Sequence, residues 1–292
     1  MCKLKSAIIL KDRVYISDNT DSHDQLLKEL GIEDTKENES KVFVRAEYSP
    51  RVNAFDPIDT WEYRVDQDTL PDWYVEDFDK ERMIAAVRKW VDKHILVGCS
   101  NLELLSGQYY LKDCSAVLYN NSSAVLYNNS RAVLYNNSSA VLYNNSRAVL
   151  YDNSSAKLCD NSSAKLCDNS SAVLNDNSSA VLYDNSSAVL YGDSRAELWD
   201  NSSAVLYNNS RAVLYDNSSA ELWGNSSAKL WGNSSAVLYG DSRAELYDNS
   251  SAVILAGSSV HADKITLKGN AILHDFNTAT IYYAGNWAVK KV

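Results

Sequence analysis

The sequence predicts a mainly β protein, a two-sided β-solenoid in which each coil is two octapeptides, preceded by a small α+β domain. Three observations predict it. An eight-residue unit, first written Ser-Ala-Val-Leu-Tyr-Asn-Asn-Ser, recurs in 18 consecutive copies from Ser115 to Ser258. The constant positions of that unit alternate along the chain, and arginine substitutions fall only in odd-numbered copies.

With positions numbered from Ser115, position 2 is always Ala (Ala116 to Ala252), position 4 is Leu except at Ile254, and position 8 is always Ser (Ser122 to Ser258). Successive side chains of a strand point to opposite faces, so positions 8, 2 and 4 share one side. Each octad therefore reads as a six-residue strand, positions 8-1-2-3-4-5, followed by a two-residue turn at 6-7. Asn-Asn, Asp-Asn, Gly-Asn and Gly-Asp fill that turn, and these residues tolerate the positive φ of tight turns. A helix fits poorly, because β-branched, Asn and Ser residues recur and a period of eight drifts around 3.6 residues per turn. Ser, Ala and Leu face inward around two Leu ladders, a core too thin for cavity chemistry. The inward serines are expected to bond along a Ser ladder or to turn backbone.

A period of eight fits a coil of two sides or three. The position-1 arginines, Arg131, Arg147, Arg195, Arg211 and Arg243, are separated by 16, 48, 16 and 32 residues. A 24-residue triangular coil would scatter them over several columns; a two-sided, 16-residue coil aligns them. Nine such coils, at roughly 4.8 Å per stacked strand, extend about 43 Å. The Arg-bearing octads form face A, and the others, with Ser in the corresponding column, form face B.

Face A is polarised. At position 6 the turn that closes its octads carries Asp152, Asp168, Asp184, Asp200, Asp216 and Asp248, while at that position the opposite turn has Asp160 and Asp176. Position 5 stacks aromatics on both faces, a pattern that stabilises neighbouring strands. Eleven of the 19 tyrosines lie in that position, so the Tyr-rich composition reports a surface ladder. On face B, Val189, Tyr191, Val205, Tyr207, Trp223, Val237 and Tyr239 make an apolar area larger than monomers usually expose. Homodimerisation through this Arg-free face is the expectation. Cys159, Cys167 and Asn175 interrupt the ladders; the two cysteines are one octad apart, hence on opposite faces, and do not pair within a protomer.

Residues 1–105 read as an α+β domain that also caps the solenoid, 106–258 as the solenoid, and 259–292 as degenerate coils forming a second cap. In the first, AIIL (7–10) and VYIS (14–17) suggest a hairpin, and Ser22 to Gln25 a capping box opening a helix that stops at Gly31. VFVRAEY (42–48) and WEYRVDQ (61–67) read as strands. A helix from about Phe78 to His94 gathers Met83, Ile84, Val87, Trp90 and Val91 on one face. After Ser258, SVHADKITLKG reads as an insertion before octad-like units at Asn270, Thr278 and Asn286, which end in Lys290 and Lys291.

Chemistry is sparse. The net charge of −10 opposes direct nucleic-acid binding and attraction to anionic lipid. No apolar run reaches a membrane span and no secretory signal is evident, so a cytoplasmic protein is expected. Five cysteines without a CxxC pair indicate neither a disulfide framework nor a zinc site. His23, His94, His261 and His274 lie far apart in sequence, and no phosphate-loop, HExxH or GxSxG motif occurs. Asp66, Asp68, Asp72, Glu76, Asp77 and Asp79 read as a solvated loop and helix N-terminus. No catalytic residue, metal or cofactor is assigned.

The Ala-x-Leu inward pair resembles pentapeptide-repeat solenoids, and the 16-residue coil with Ser and Tyr ladders is similar to bacterial ice-nucleation proteins. Both resemblances cover residues 115–258; the period differs from the first, and the Thr-x-Thr faces of the second are absent. KSAIILKDRVYISDNTDSHDQLLKELGI and PDWYV, followed by short repeats, resemble octapeptide-repeat proteins of gut bacteriophages and their hosts. That resemblance implies a bacterial cytoplasm and an inhibitor of a host nucleic-acid-binding or defence protein. The leading expectation is a non-enzymatic scaffold presenting its Arg, aromatic and Asp rows to a macromolecular partner. A self-assembling solenoid and an enzyme in residues 1–105 are the alternatives.

Overall fold

The computed structural model describes residues 5–284 and 290–291. Within them the chain forms two compact units, one running to Leu96 with Gly107–Tyr110, the other comprising Val97–Ser106 and the chain from Leu111 onward.

The first unit is a four-stranded antiparallel sheet ordered Val14–Tyr15, Ser6–Leu10, Phe43–Ser49, Glu62–Val65. Alternation along the two central strands gives it two apolar faces. Ile8, Leu10 and Phe43 pack against Leu26 and Leu27 of helix α1 (His23–Glu29). Ala7, Ile9, Val44, Ala46 and Tyr48 pack against Met83 and Val87 of the long helix Glu76–His94, with Ile84 and Val91 at the margin. Gly31, at φ 68°, follows the end of α1 as expected. The capping box differs. Ser22 stands at the N-cap but its hydroxyl makes no cap bond, and Gln25 is engaged by the Thr20 hydroxyl. A second short helix, Lys36–Lys41, was not evident from the sequence; it carries no buried residue, and so no apolar period, and is started by Thr35 accepting from Asn38 N–H.

The second unit is the solenoid. Its strands stack in parallel with a register of two octads, Arg131 on Arg147 and Ala132 on Ala148 for example. Odd and even octads form separate sheets, so the coil has two sides. The inward residues fall where the alternation places them: the repeat leucines are fully buried, the alanines at most 7% exposed, and Ser122 through Ser250 fully buried. The stack exceeds the octad run, since Leu102–Leu104 pairs with Ala116–Leu118 at one end and Ile265–Leu267 with Ala244–Leu246 at the other.

Two details correct the sequence reading, and the serines settle on one of the two partners expected for them. The strands span only positions 1 to 4 in nearly every octad, because the position-5 carbonyl turns away to accept the position-8 N–H (Ser154 to Tyr151, 3.1 Å). The serines form no Ser–Ser ladder; Ser130, Ser138, Ser146 and Ser210, among others, donate to the position-5 carbonyl of their own turn at 2.6 to 2.7 Å. The hydroxyls of Ser154, Ser162, Ser170, Ser178, Ser186, Ser202 and Ser218 have no partner among the described residues, and each of these serines follows an Asp-Asn turn. Past Ser258 the chain does not simply add rungs. The segment read as an insertion contributes the strand Ile265–Leu267, and Ile272–Asp275 completes the parallel stack. Thr280–Tyr283 then runs antiparallel to it, and Lys290–Lys291 antiparallel to that. The reversal is made by Asp275, whose carboxylate accepts from Asn277 N–H (2.9 Å) and the Thr278 hydroxyl (2.8 Å). Most of the unit expected at Asn286 lies outside the described residues.

The turns change type midway. From Asn120–Asn121 to Asp184–Asn185 both central residues have positive φ, whereas from Gly192–Asp193 to Asp248–Asn249 only position 6 does; in the last octad it is position 7, Gly257 at φ 82°, that is positive. These are type I′ and type II′ turns, which differ by a flip of the peptide between the two residues. The flip reverses the turn-to-turn bonds. Asn153 N–H donates forward to Asp168 O (3.1 Å), and Asn217 N–H donates backward to Asp200 O (3.0 Å). The reversal falls between turns 184–185 and 200–201, where the amides of Asn185 and Asn201 take no backbone partner among the described residues. Glycine enters position 6 where the second type begins. At Gly240 (φ 63°) a Cβ would lie 3.0 Å from Gly224 N.

Candidate functional site: the two solenoid faces

Face A carries its charges where the register places them. Arg131 stacks directly on Arg147, and Arg195 on Arg211. All five arginines, Arg243 included, are exposed, and none forms an ion pair among the described residues. Between their row and the position-3 row run two shallow grooves. One, of about 530 Å³, is bounded by Arg147, Lys165, Arg195, Glu197 and Arg211 over a floor of Ala and Ser; the other, of about 460 Å³, lies beside Ser115, Arg131 and Arg147. On the opposite margin Asp152, Asp168, Asp184, Asp200, Asp216 and Asp248 are all exposed at turn tips with φ of 50° to 59°. No ion pair reaches any of them among the described residues. The row is not uniform, since its first three members lie in type I′ turns and the rest in type II′ turns. At position 3, Lys165 lies over the Tyr183 ring at 4.8 Å, and Lys229 pairs with Glu245 at 3.2 Å. The Tyr247 hydroxyl and Lys229 together hold the Glu245 carboxyl below its ordinary value.

The aromatic rows are stacked ladders. On face A Tyr119, Tyr135 and Tyr151 lie 5.5 and 5.2 Å apart, and Trp199 and Tyr215 4.0 Å. On face B Tyr191, Tyr207, Trp223 and Tyr239 follow at 5.1, 6.3 and 3.8 Å. Tyr191 and Trp223 are the exposed members, at 40% and 36%, whereas Val189, Val205, Tyr207, Val237 and Tyr239 are half-buried. Glu221 interrupts the valines, standing between Val205 and Val237 in register. Cys159 and Cys167 are buried on opposite faces, and burial raises both thiols above their ordinary value.

In the first unit most polar groups have structural partners. Asp79 accepts from Val75 N–H and Arg82, anchoring the start of its helix. His94 is fully buried, bonded to Gln108 O (2.7 Å) and Asp18 (3.0 Å), and stacked between Trp90 and Tyr109. His23, Glu47 and Asp66 are different. They come from three separate elements, and one ligand atom of each lies within 4.8 Å of the others. The intervals from His23 to Glu47 and from Glu47 to Asp66 match no motif, which is why the sequence assigned them no role.

No helix among the described residues is long and apolar enough to cross a membrane. Compared with family models, curated proteins and solved structures, the chain matches none.

Proposed function

We propose that the protein is a non-enzymatic interaction scaffold whose face A engages a macromolecular partner through its Arg and Asp margins. One observation carries the reading: both charged rows are exposed, fall at multiples of the 16-residue coil, and are free of ion pairs among the described residues. Charges held in register and left unneutralised give specificity and fast encounter with a complementary surface. The finer form follows from the resemblance to phage octapeptide-repeat proteins: the Asp row occupies the basic surface of a host nucleic-acid-binding or defence protein. Two labelled probes, octaglutamate and octalysine, separate the margins by fluorescence anisotropy. Substituting Arg131, Arg147, Arg195 and Arg211 by Gln abolishes octaglutamate binding alone. Substituting Asp152, Asp168, Asp184, Asp200 and Asp216 by Asn abolishes octalysine binding alone. Equal binding by wild type and both variants sinks the proposal.

A second reading, self-association through face B, is favoured by a symmetry of that face. About the Val189–Tyr191 rung, Lys157 and Glu221 lie two rungs to either side, as do the small buried Cys159 and the exposed Trp223; Asn175 and Tyr207 lie one rung to either side. A two-fold axis through that rung, along the strands, sets Lys157 against Glu221 of the partner subunit and seats Trp223 over the partner's Cys159. On face A the equivalent operation about Val181 opposes Arg147 to Arg211 of the partner subunit. Face B offers roughly 700 Å² per copy, the size of a standard interface. In sedimentation, Lys157→Glu weakens the dimer at least tenfold and adding Glu221→Lys restores it. A wild-type monomer at high micromolar concentration, or no restoration, overturns this reading.

A further inference from the structure

We propose that His23, Glu47 and Asp66 form a divalent-cation site of the manganese and zinc class in the N-terminal unit. His23 is the first residue of α1, Glu47 lies in the central strand Phe43–Ser49, and Asp66 follows the strand Glu62–Val65, held there by its N–H to Arg45 O at 2.9 Å.

The imidazole is oriented as a ligand is. Its Nε2 lies 3.2 Å from Ala46 O and donates to it, so the neutral ring carries its lone pair on Nδ1. A metal-binding histidine is commonly fixed in this way, by a backbone carbonyl on the far nitrogen. Nδ1 faces Asp66 Oδ2 at 3.5 Å. Two donors each about 2.1 Å from one ion stand about 3.0 Å apart at a right angle and about 3.5 Å apart near the tetrahedral angle. Every separation in the trio is within 4.8 Å, a distance that a small side-chain rotation closes.

Glu47 is the second, independent observation. It is 5% exposed, and its carboxylate has no hydrogen bond or ion pair among the described residues. A buried carboxylate without a partner is costly. Directly across the sheet stands Ser6, also buried, whose hydroxyl is likewise unpartnered among the described residues; opposed residues of an antiparallel pair share a face. The other opposed residue, Arg64, does not neutralise Glu47, because its guanidinium reaches Asp66 Oδ1 at 3.4 Å. A neutral imidazole, two carboxylates and one guanidinium leave the cluster one negative charge in excess. Asp66 is 41% exposed and opens the site to solvent, which supplies both an entry path and water for the remaining coordination positions. One nitrogen with two carboxylate oxygens suits manganese or zinc better than calcium.

The test is manganese chloride titrated into the full chain, because thiolates bind Mn²⁺ poorly and the cysteines stay silent. Calorimetry is expected to give one saturable equivalent below 100 µM, and paramagnetic broadening of the imidazole NMR signals that sets in first, at the lowest Mn²⁺, at His23 among the four histidines. Asp66→Asn changes an exposed residue and leaves the packing intact; it weakens binding at least tenfold, as does Glu47→Gln. Loss of the solenoid Asp row leaves the His23 broadening unchanged. No saturation by 1 mM, broadening that sets in first at another histidine, or full binding by Asp66→Asn overturns the site.

Discussion

In the solenoid a residue's environment is fixed by its position modulo eight, whereas in the N-terminal unit it is fixed by which elements meet. Leu134 and Leu230, twelve octads apart, are equally and completely buried. Glu47 and Asp66 are brought together by strand pairing and helix placement that no local pattern announces. Repetition makes architecture simple to specify and leaves chemistry on the surface. Convergence of distant elements is what creates an enclosed, directional cluster of donors.

The largest expected effect tests the modulo-eight rule. Leu134→Ala and Leu230→Ala each remove a fully buried side chain and cost about 2 to 5 kcal/mol. Val133→Ala and Val237→Ala, on half-buried outward residues, cost under about 1 kcal/mol. Denaturant unfolding measures all four. Equivalent coils collapse around the deletion to the same extent, so the two leucine variants are expected to agree; a gap approaching the spread seen among unlike core sites, about 2 kcal/mol, would break the equivalence of coils.

Much of the fold was legible for this reason. Ser, Ala and Leu recurring at alternating positions, with the one exception of Ile254, dictated the buried face, and the spacing of Arg131, Arg147, Arg195, Arg211 and Arg243 dictated two sides. What the repeat could not reveal lies between coils. Asn, Asp and Gly all permit positive φ at position 6, so the composition of the turn did not disclose the passage from type I′ to type II′ at Gly192. The C-terminal hairpin depended on side-chain bonds of Asp275, and the serine bonds on how far each turn folds back. The His23 trio was invisible because none of its members lies near another in sequence.

Glycine tests where the equivalence of coils fails. Gly192 and Gly240 have φ of 65° and 63°, so alanine at either costs about 1 to 2 kcal/mol in backbone strain. At Gly192 the added Cβ meets nothing closer than 3.8 Å, whereas at Gly240 it lies 3.0 Å from Gly224 N and forces the stacked turns apart. Gly240→Ala is therefore the more destabilising of the two by about 1 kcal/mol, again read from denaturant midpoints. Equal losses would show that the stacked turns yield at no cost.

The smallest effect concerns the Asp row. Unit charges one strand apart, about 4.8 Å, repel by roughly 0.9 kcal/mol in water before screening, and salt near 1 M shortens the range to about 3 Å. Asn is the residue the repeat itself places at the same position in Asn120 and Asn136, with φ of 52° and 53° against 53° at Asp152. Substituting Asn at Asp152, Asp168, Asp184, Asp200 and Asp216 thus relieves repulsion without altering the backbone. The melting temperature in dilute buffer is expected to rise by about 1 to 2 °C, with the difference vanishing at 1 M salt. A fall instead would mean that the carboxylates hold the turns, and the row would then be a structural element of the coil and not a surface free for a partner.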